Sequence, residues 1–476
     1  VVSPRTGTAT SPAADSLAPE VERFAALRAA ALASAVEFGT PQYLLDVRTL
    51  RARADALKSG MQGLGQPAAV LYAYKANYLL RVVRELTARG LGAEVGGLPE
   101  LELALAVGAQ TITLNGPAMS VDEMDLALAH GERVLIQIDN ATEVAALRAR
   151  LSARAGAGAG ASGRAGADGP AGAAPARWPV GLRLRPPRVA RTPWSRFGVA
   201  ADEVGAFLPG MRAAGLDLVG LHIHGGPVPS PAHYRTLLDE ILPPLDAALT
   251  GEEKARLRLL NLGGGLVPER ESLPRSPISY APGEAASSQL GGIRYAEGAA
   301  EPPAIDDYLR GLASALDAAR RRYPWVAPLT IALEPGRFLV AKSMHLLMRV
   351  YTVKDGMAIL DGSTSLVGYD RFGTERFPVL NLTRPGGRAP IQSSCYGSLC
   401  DPGDFLGEDL YGEPPAEGDL LAFMNQGAYS LSYAHRFMRP TGRAVALEPD
   451  GTLTLEKDLE PLATWLGQDP ARQGGV

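Results

Sequence analysis

Apolar runs of four to seven residues alternate with longer amphipathic stretches through most of this chain. The strand-like runs are 68–74, 92–95, 111–114, 133–138, 180–185, 216–222, 256–262 and 329–334, and between them lie helix-like stretches at 79–89, 99–107, 121–130, 201–214 and 305–322. Strand and helix in alternation predict a parallel (β/α)8 barrel, an α/β fold whose functional groups collect at the C-terminal ends of the strands. Ahead of it, the first twenty or so residues, rich in Ser, Thr, Pro and Ala, read as a disordered tail, 21–37 as an Ala-rich helix and 41–47 as a short strand. Past residue 340 the texture changes to short alternating runs such as LLMRVYTVK, GDLLAFMN and GTLTLEK between Gly, Asp and Pro turns. That pattern predicts a separate antiparallel β domain. The expected division is a tail and helix at 1–40, a barrel at 41–340 and a β domain at 341–476. Two segments interrupt the barrel pattern. Residues 153–177 are low-complexity Gly/Ala and are expected to form a flexible surface loop. Residues 268–303 are rich in Pro, Gly, Ser and Ala and read as either a lid or an inert insertion.

Composition narrows the function. With 476 residues and 46% hydrophobic content, the chain has room for two or three packed domains. The net charge of -4, with no long basic run, points away from nucleic acid and from anionic membrane surfaces and toward a small-molecule site. The two cysteines, Cys395 and Cys400, are too few for a disulfide framework. No signal-peptide pattern opens the sequence, and no run reaches the ~18 apolar residues of a membrane span. A soluble, cytoplasmic protein is expected.

Polar residues at the ends of apolar strands then stand out. Lys75 follows VLYAY, where a lysine is either a solvated cap or an amine held in a partly desolvated site, with a lowered pKa suited to Schiff-base chemistry. His222 and His224 close another strand; as a bare His-x-His they are weak evidence for a metal, and only one imidazole is expected to reach the mouth. Gly263, Gly264 and Gly265 allow backbone to approach a ligand and offer amides to a phosphate, or simply form a tight turn. Glu334 ends the last apolar run, with Arg337 just beyond; a carboxylate there needs a partner, and a protonated ring nitrogen is one.

Six stretches in order, YAYKAN, GLHIHGG, NLGGG, ALEPGRFLVA, GSLCDPGD and NQGAYSLSYAHRF, span residues 72 to 437. Together they resemble the signatures of the fold-type III pyridoxal-phosphate decarboxylases, the group of diaminopimelate decarboxylase and eukaryotic-type ornithine decarboxylase. The resemblance implies a TIM-like, alanine racemase-like barrel that binds pyridoxal 5'-phosphate, followed by the β domain. It implies Lys75 as the Schiff-base lysine, His224 stacked on the pyridine ring and Glu334 paired with the ring nitrogen. Gly263, Gly264 and Gly265, the backbone around Gly336 and Arg337, and Tyr429 would hold the phosphate. Cys400, from the β domain of a second chain, would protonate the carbanion left by carbon dioxide, and Asp401 would help recognise the far end of the substrate. A homodimer with shared sites follows. Racemases with a similar barrel set an arginine against the ring nitrogen, so Glu334 favours the decarboxylase.

The resemblance also has departures. Cys400 is followed by Asp401 and Pro402, closer to the Cys-Asp of ornithine decarboxylases than to the Cys-Glu-Ser of diaminopimelate decarboxylases. In the loop 361–379, Tyr369 stands where the latter carry a carboxylate-gripping arginine, and Asp370 is available to join Asp401 in holding a distal amine. The family's phosphate-binding serine after the histidine is replaced by Pro227. The expected substrate is therefore a diamino acid or a conjugate of one, bound through Arg337, Tyr369, Asp370, Asp401 and Tyr429. The alternatives are diaminopimelate decarboxylase proper, with Arg371 or Arg376 taking over the grip, and a noncatalytic or racemase homologue.

Overall fold

The first described elements of the chain belong with its C-terminal domain. In the computed structural model, which describes residues 18–161, 178–190, 192–266, 273–274, 303–368, 375–386, 391–461 and 463–464, the first strand, Gln42–Asp46 (β1), does not join the barrel. It lies between two strands of the C-terminal domain, antiparallel to Met344–Lys354 and parallel to Arg443–Leu447. All five of its residues are buried: Tyr43 and Leu45 face the main core, and Leu44 a second core under the N-terminal helices. A strand covered on both faces loses the polar alternation that would mark its sheet, which is why this run reads like a barrel strand in the sequence. The expected helix over 21–37 is two helices, Ala18–Ala25 and Arg28–Phe38, and residues from both pack into that second core.

The barrel proper opens with the helix Val47–Gln62, capped by the Asp46 side chain, which accepts from the amides of Arg48 and Thr49. Its strands are Ala68–Ala73 (β2), Gly92–Val95 (β3), Ile112–Asn115 (β4), Val134–Ile138 (β5), Trp178–Arg185 (β6), Leu216–Ile223 (β8), Leu259–Asn261 (β9) and Thr330–Leu333 (β11). The two-residue strands Val199–Ala200 (β7) and Leu273–Pro274 (β10) stand outside the ring. All pairings in the ring are parallel, in the order β5-β4-β3-β2-β11-β9-β8-β6, and β5 pairs with β6 to close it. Each of the eight expected strands overlaps one of these. The helices carry their own stop and start signals: Ser120 with Glu123, and Thr250 with Glu253, form capping boxes. The helix Ile305–Arg322 begins with Asp306 and Asp307 and ends with three arginines, as the helix dipole favours.

Two insertions behave differently from each other. The Gly/Ala tract expected to be a loop from 153 continues the helix Ala141–Ala161 for its first nine residues, and 162–177 lie outside the described residues. Of the 268–303 segment, only β10 and residue 303 are described; β10 pairs antiparallel with Glu375–Arg376 (β14) of the C-terminal domain. The C-terminal domain adds Met344–Lys354 (β12), Met357–Leu360 (β13), Val379–Asn381 (β15), Ile391–Tyr396 (β16), Phe405–Tyr411 (β17), Leu420–Phe423 (β18), Arg443–Leu447 (β19) and Leu453–Lys457 (β20). With β1 they form a nine-stranded sheet ordered β13-β16-β17-β15-β18-β12-β1-β19-β20. It is mostly antiparallel, but β13–β16, β15–β17 and β1–β19 run parallel, so the domain is mixed.

Candidate active site

Lys75 lies in the single turn Tyr74–Ala76 that ends β2, at the C-terminal mouth of the barrel. Its Nζ is 2.8 and 2.6 Å from the two carboxylate oxygens of Glu94, which is buried in the neighbouring strand β3. Lys75 is surrounded by protein, yet keeps 48% of its side chain open to the cavity described below. Burial works against its charge, but Glu94 and Glu334 outweigh it, and the pKa of Lys75 is raised, not lowered as its position in the sequence suggests. Glu94 is thus placed to hold Lys75 as an ammonium and to take its proton when the amine reacts. The sequence reading overlooked Glu94, although an acid inside the apolar run GAEV is the same signal that singled out Glu334.

Glu334 follows β11 and is buried. Its Oε1 accepts from Asn261 Nδ2 at 2.7 Å, and its Oε2 lies 3.1 Å from His222 Nε2. Burial alone would raise the pKa of this carboxyl; His222 and Lys75 reverse that and hold it below the ordinary range. Asn261 in turn accepts from the Gly263 amide at 3.0 Å, tying the carboxylate to the glycine turn. Further back, Arg183 donates to Asn115 at 2.9 Å, whose amide nitrogen stands 3.4 Å from His222.

His224 also faces the mouth. Positions two apart along a strand share a face, so the expectation of a single inward histidine is corrected: His222 reaches Glu334 from below and His224 lines the cavity above it. The pair is not part of any group of three potential metal ligands among the described residues. Burial, despite Glu334 nearby, lowers His224 to about 3, so the ring is neutral at pH 7. Its Nδ1 accepts from the Gly226 amide at 3.2 Å. Trp194 packs against it, ring centroids 4.9 Å apart and tilted by 47°, a wall residue that the sequence reading did not single out.

The cavity has a volume of about 190 Å³. It gathers Lys75, His224, Gly264, Gly265, Glu334, Gly336, Arg337 and Tyr429, with Ala73, Trp194, Pro227 and Leu266 between them. A larger hollow of about 570 Å³, between the helices Ala141–Ala161 and Val204–Ala213, is lined among the described residues by Arg148 as its one charged group and includes none of the residues singled out above. The glycines are there for close approach. A Cβ on Gly264 would come 2.5 Å from the Glu334 carbonyl, and one on Gly265 would come 2.2 Å from that of Gly226, while Gly265 has φ +88. Among the described residues the amides of Gly264 and Gly265 make no hydrogen bond, which leaves two donors for an anion. Tyr429 arrives from the C-terminal domain with φ +61, and its amide donates to Ala76 O at 2.8 Å. Asn77 Nδ2 reaches Gly427 O at 2.8 Å, so the same loop is stitched to the turn that carries Lys75.

The remaining expected residues lie elsewhere. Cys400 and Asp401 are exposed and do not line the cavity; Asp401 accepts from the Gly403 amide at 2.8 Å. The loop that carries them is held by buried Asp404, which accepts from Thr364 N at 2.7 Å, Thr364 Oγ1 at 2.8 Å and Leu399 N at 2.8 Å. Tyr369 and Asp370, with Arg371, fall outside the described residues, as does the side chain of Arg376.

An amine, a carboxylate held ionised, a neutral flat imidazole and free glycine amides suit an aromatic aldehyde phosphate with a basic ring nitrogen. The fold and site are those of a barrel enzyme that uses pyridoxal 5'-phosphate. Residues 47–341, more than half of the chain, match the family described as "Pyridoxal-dependent decarboxylase, pyridoxal binding domain", and the protein belongs to that family. It is a pyridoxal-phosphate-dependent decarboxylase, a carboxy-lyase. The chain is 29% identical over 441 residues to a diaminopimelate decarboxylase of Pseudomonas aeruginosa, covering 89% of this chain and 90% of that one. Its fold resembles the M. jannaschii diaminopimelate decarboxylase solved with L-lysine, with TM-score 0.70, 21% identity and 91% and 93% of the two chains covered. It also resembles the Vibrio vulnificus lysine/ornithine decarboxylase solved with putrescine, with TM-score 0.64, 20% identity and 87% and 96% covered. No helix among the described residues is long and apolar enough to cross a membrane.

Proposed function

We propose that this decarboxylase acts on a diamino acid or a conjugate of one, in the cytoplasm, and that two copies of the chain share each site. The observation that carries the decarboxylase chemistry is Glu334, held as a carboxylate at the floor of the cavity. When bound, pyridoxal phosphate supplies a ring that takes up the electron pair left as carbon dioxide departs, and a carboxylate at the ring nitrogen favours the protonated, electron-withdrawing form. Lys75 anchors the cofactor, and Glu94 accepts the proton its amine must lose. His224, neutral and flat, covers one face of the ring. Gly264, Gly265, the turn at Gly336 and Arg337, and Tyr429 hold the phosphate, while Pro227 contributes neither a hydroxyl nor an N–H to it.

Cys400 of the partner subunit supplies the proton that replaces carbon dioxide, and Asp401 of the partner subunit meets the distal group of the substrate. Both residues are exposed and away from their own chain's cavity, which supports a role in a second copy. Nearby, Phe437 and Met438 are 46% and 52% exposed, and Met438 Sδ lies 3.4 Å from the Cys400 amide, an apolar surface suited to a partner. The substrate reading draws on the relatives. Putrescine, in the V. vulnificus structure, ends in a free amine, the group that Asp370 and Asp401 would meet.

The test is carbon dioxide release with product identification by cofactor-loaded protein. The panel is meso-diaminopimelate and both enantiomers of ornithine, lysine, arginine and 2,3-diaminopropionate. Turnover of an amine-ended substrate is the expected result. Turnover of meso-diaminopimelate alone would establish the second reading, favoured by the name of the P. aeruginosa relative, in which Arg371 or Arg376 grips the second carboxylate. Silence on the whole panel, by protein shown to hold its cofactor on Lys75, would reject a free diamino acid and leave a conjugate.

A further inference from the structure

We infer that His222, which lies outside the cavity lining, is the positioning residue that keeps Glu334 an aimed carboxylate. His222 has no exposed surface. Its partner Glu334 has one oxygen served by Asn261, whose amide cannot flip because its Oδ1 accepts from the Gly263 amide at 3.0 Å. The other oxygen faces His222 Nε2 at 3.1 Å. The Nδ1 of His222 is buried and has no partner. A proton on Nδ1 would therefore bury an unpaired N–H, whereas a proton on Nε2 leaves only a lone pair unmet and gives Glu334 its second donor. Asn115 Nδ2, oriented by Arg183, stands off at 3.4 Å from the same nitrogen, long for a hydrogen bond. Without the Nε2–H, a buried carboxylate would keep one donor and would be driven to take up a proton, and a neutral carboxyl no longer favours a protonated ring nitrogen.

The inference rests on the reading that Glu334 meets the ring nitrogen of the cofactor, and the experiment separates the two. Holoenzyme is prepared with cofactor labelled with 15N in the ring, and the ring-nitrogen chemical shift and the cofactor Kd are measured for wild type, Glu334→Gln, His222→Gln and His222→Asn. Glutamine places an N–H near the position of Nε2; asparagine reaches only that of Nδ1. Wild type and His222→Gln should show a protonated ring nitrogen and Kd values within about twofold, while His222→Asn should lose the ring proton and bind about tenfold more weakly. A side chain that merely fills space would make the two His222 variants alike, and that result overturns the inference. If Glu334→Gln leaves the ring nitrogen protonated, the reading of Glu334 fails. If Glu334→Gln removes the ring proton and His222→Asn does not, only the role of His222 fails. Should His222→Asn not fold, His222→Gln decides alone: loss of its ring proton refutes the assignment.

Discussion

The barrel mouth and the loop 397–404 are both expected to take part in the reaction, but they are finished to different degrees. At the mouth each charged group has partners within its own chain: Lys75 on Glu94, and Glu334 on Asn261 and His222. The loop is shaped by one buried carboxylate, Asp404, and presents Cys400 and Asp401 at the surface. The mouth is preorganised to bind and polarise; the loop has a fixed form, but its Cys400 and Asp401 do not line the cavity of their own chain. The difference teaches where cofactor chemistry and substrate choice are separately encoded, and it can be tested from either side.

The largest effect should come from the mouth. Lys75→Ala removes the anchoring amine, and we expect loss of the visible band of lysine-bound cofactor together with a fall of more than about a thousandfold in kcat/KM. Retention of that band would refute the central assignment. Cys400→Ala should do the reverse, keeping the band and the cofactor Kd while losing about a hundredfold in formation of the amine product, read by chromatography against carbon dioxide counted. If the two regions meet across a dimer, mixing the two inactive variants should restore about a quarter of wild-type activity, because half of the dimers are mixed and each of these carries one intact site. Mixtures that stay silent would argue that no site is shared.

Smaller effects sharpen the contrast. Asp404→Ala leaves the Thr364 and Leu399 amides without their acceptor and should cost about 1–3 kcal/mol in urea unfolding. It should also lower turnover while sparing cofactor affinity; a weakened cofactor Kd would show that the loop and the mouth are not separable. Tyr369→Arg should raise kcat/KM for meso-diaminopimelate severalfold, and an unchanged preference would count against the placement of that loop in the substrate site.

Two buried histidines outside both regions set a pH dependence of stability. Burial, with Arg188 nearby, lowers His233 to about 4, and burial with Arg23 nearby lowers His345 well below its ordinary value. Both are neutral in the folded chain at pH 7, while in the unfolded chain they titrate near 6.5. Below that pH the unfolded state binds protons that the fold refuses. Stability should therefore fall as pH drops from about 6.5 toward 4, by up to about 1.4 kcal/mol per pH unit for each histidine. Urea midpoints at pH 7, 6 and 5 check this, and equal midpoints would contradict it.

Much of this molecule is legible in one dimension. The eight barrel strands announce themselves because burial on both faces makes them short apolar runs between amphipathic helices, a local property of the chain. For the same reason Lys75, His224, Gly263 to Gly265 and Glu334 stand out: a polar or side-chain-free residue ending an apolar strand breaks a local pattern. Partner choice is not local. Nothing in QYLLD says that β1 belongs between β12 and β19, some 300 and 400 residues away, since a run buried on both faces suits either sheet. Nor does the chain order announce that Glu94 holds Lys75, that His222 and Asn261 hold Glu334, or that Asp404 ties the Cys400 loop to Thr364. Those pairs arise only when strands are laid in register, because a hydrogen bond acts over about 3 Å while the residues it joins are separated by tens to hundreds of positions.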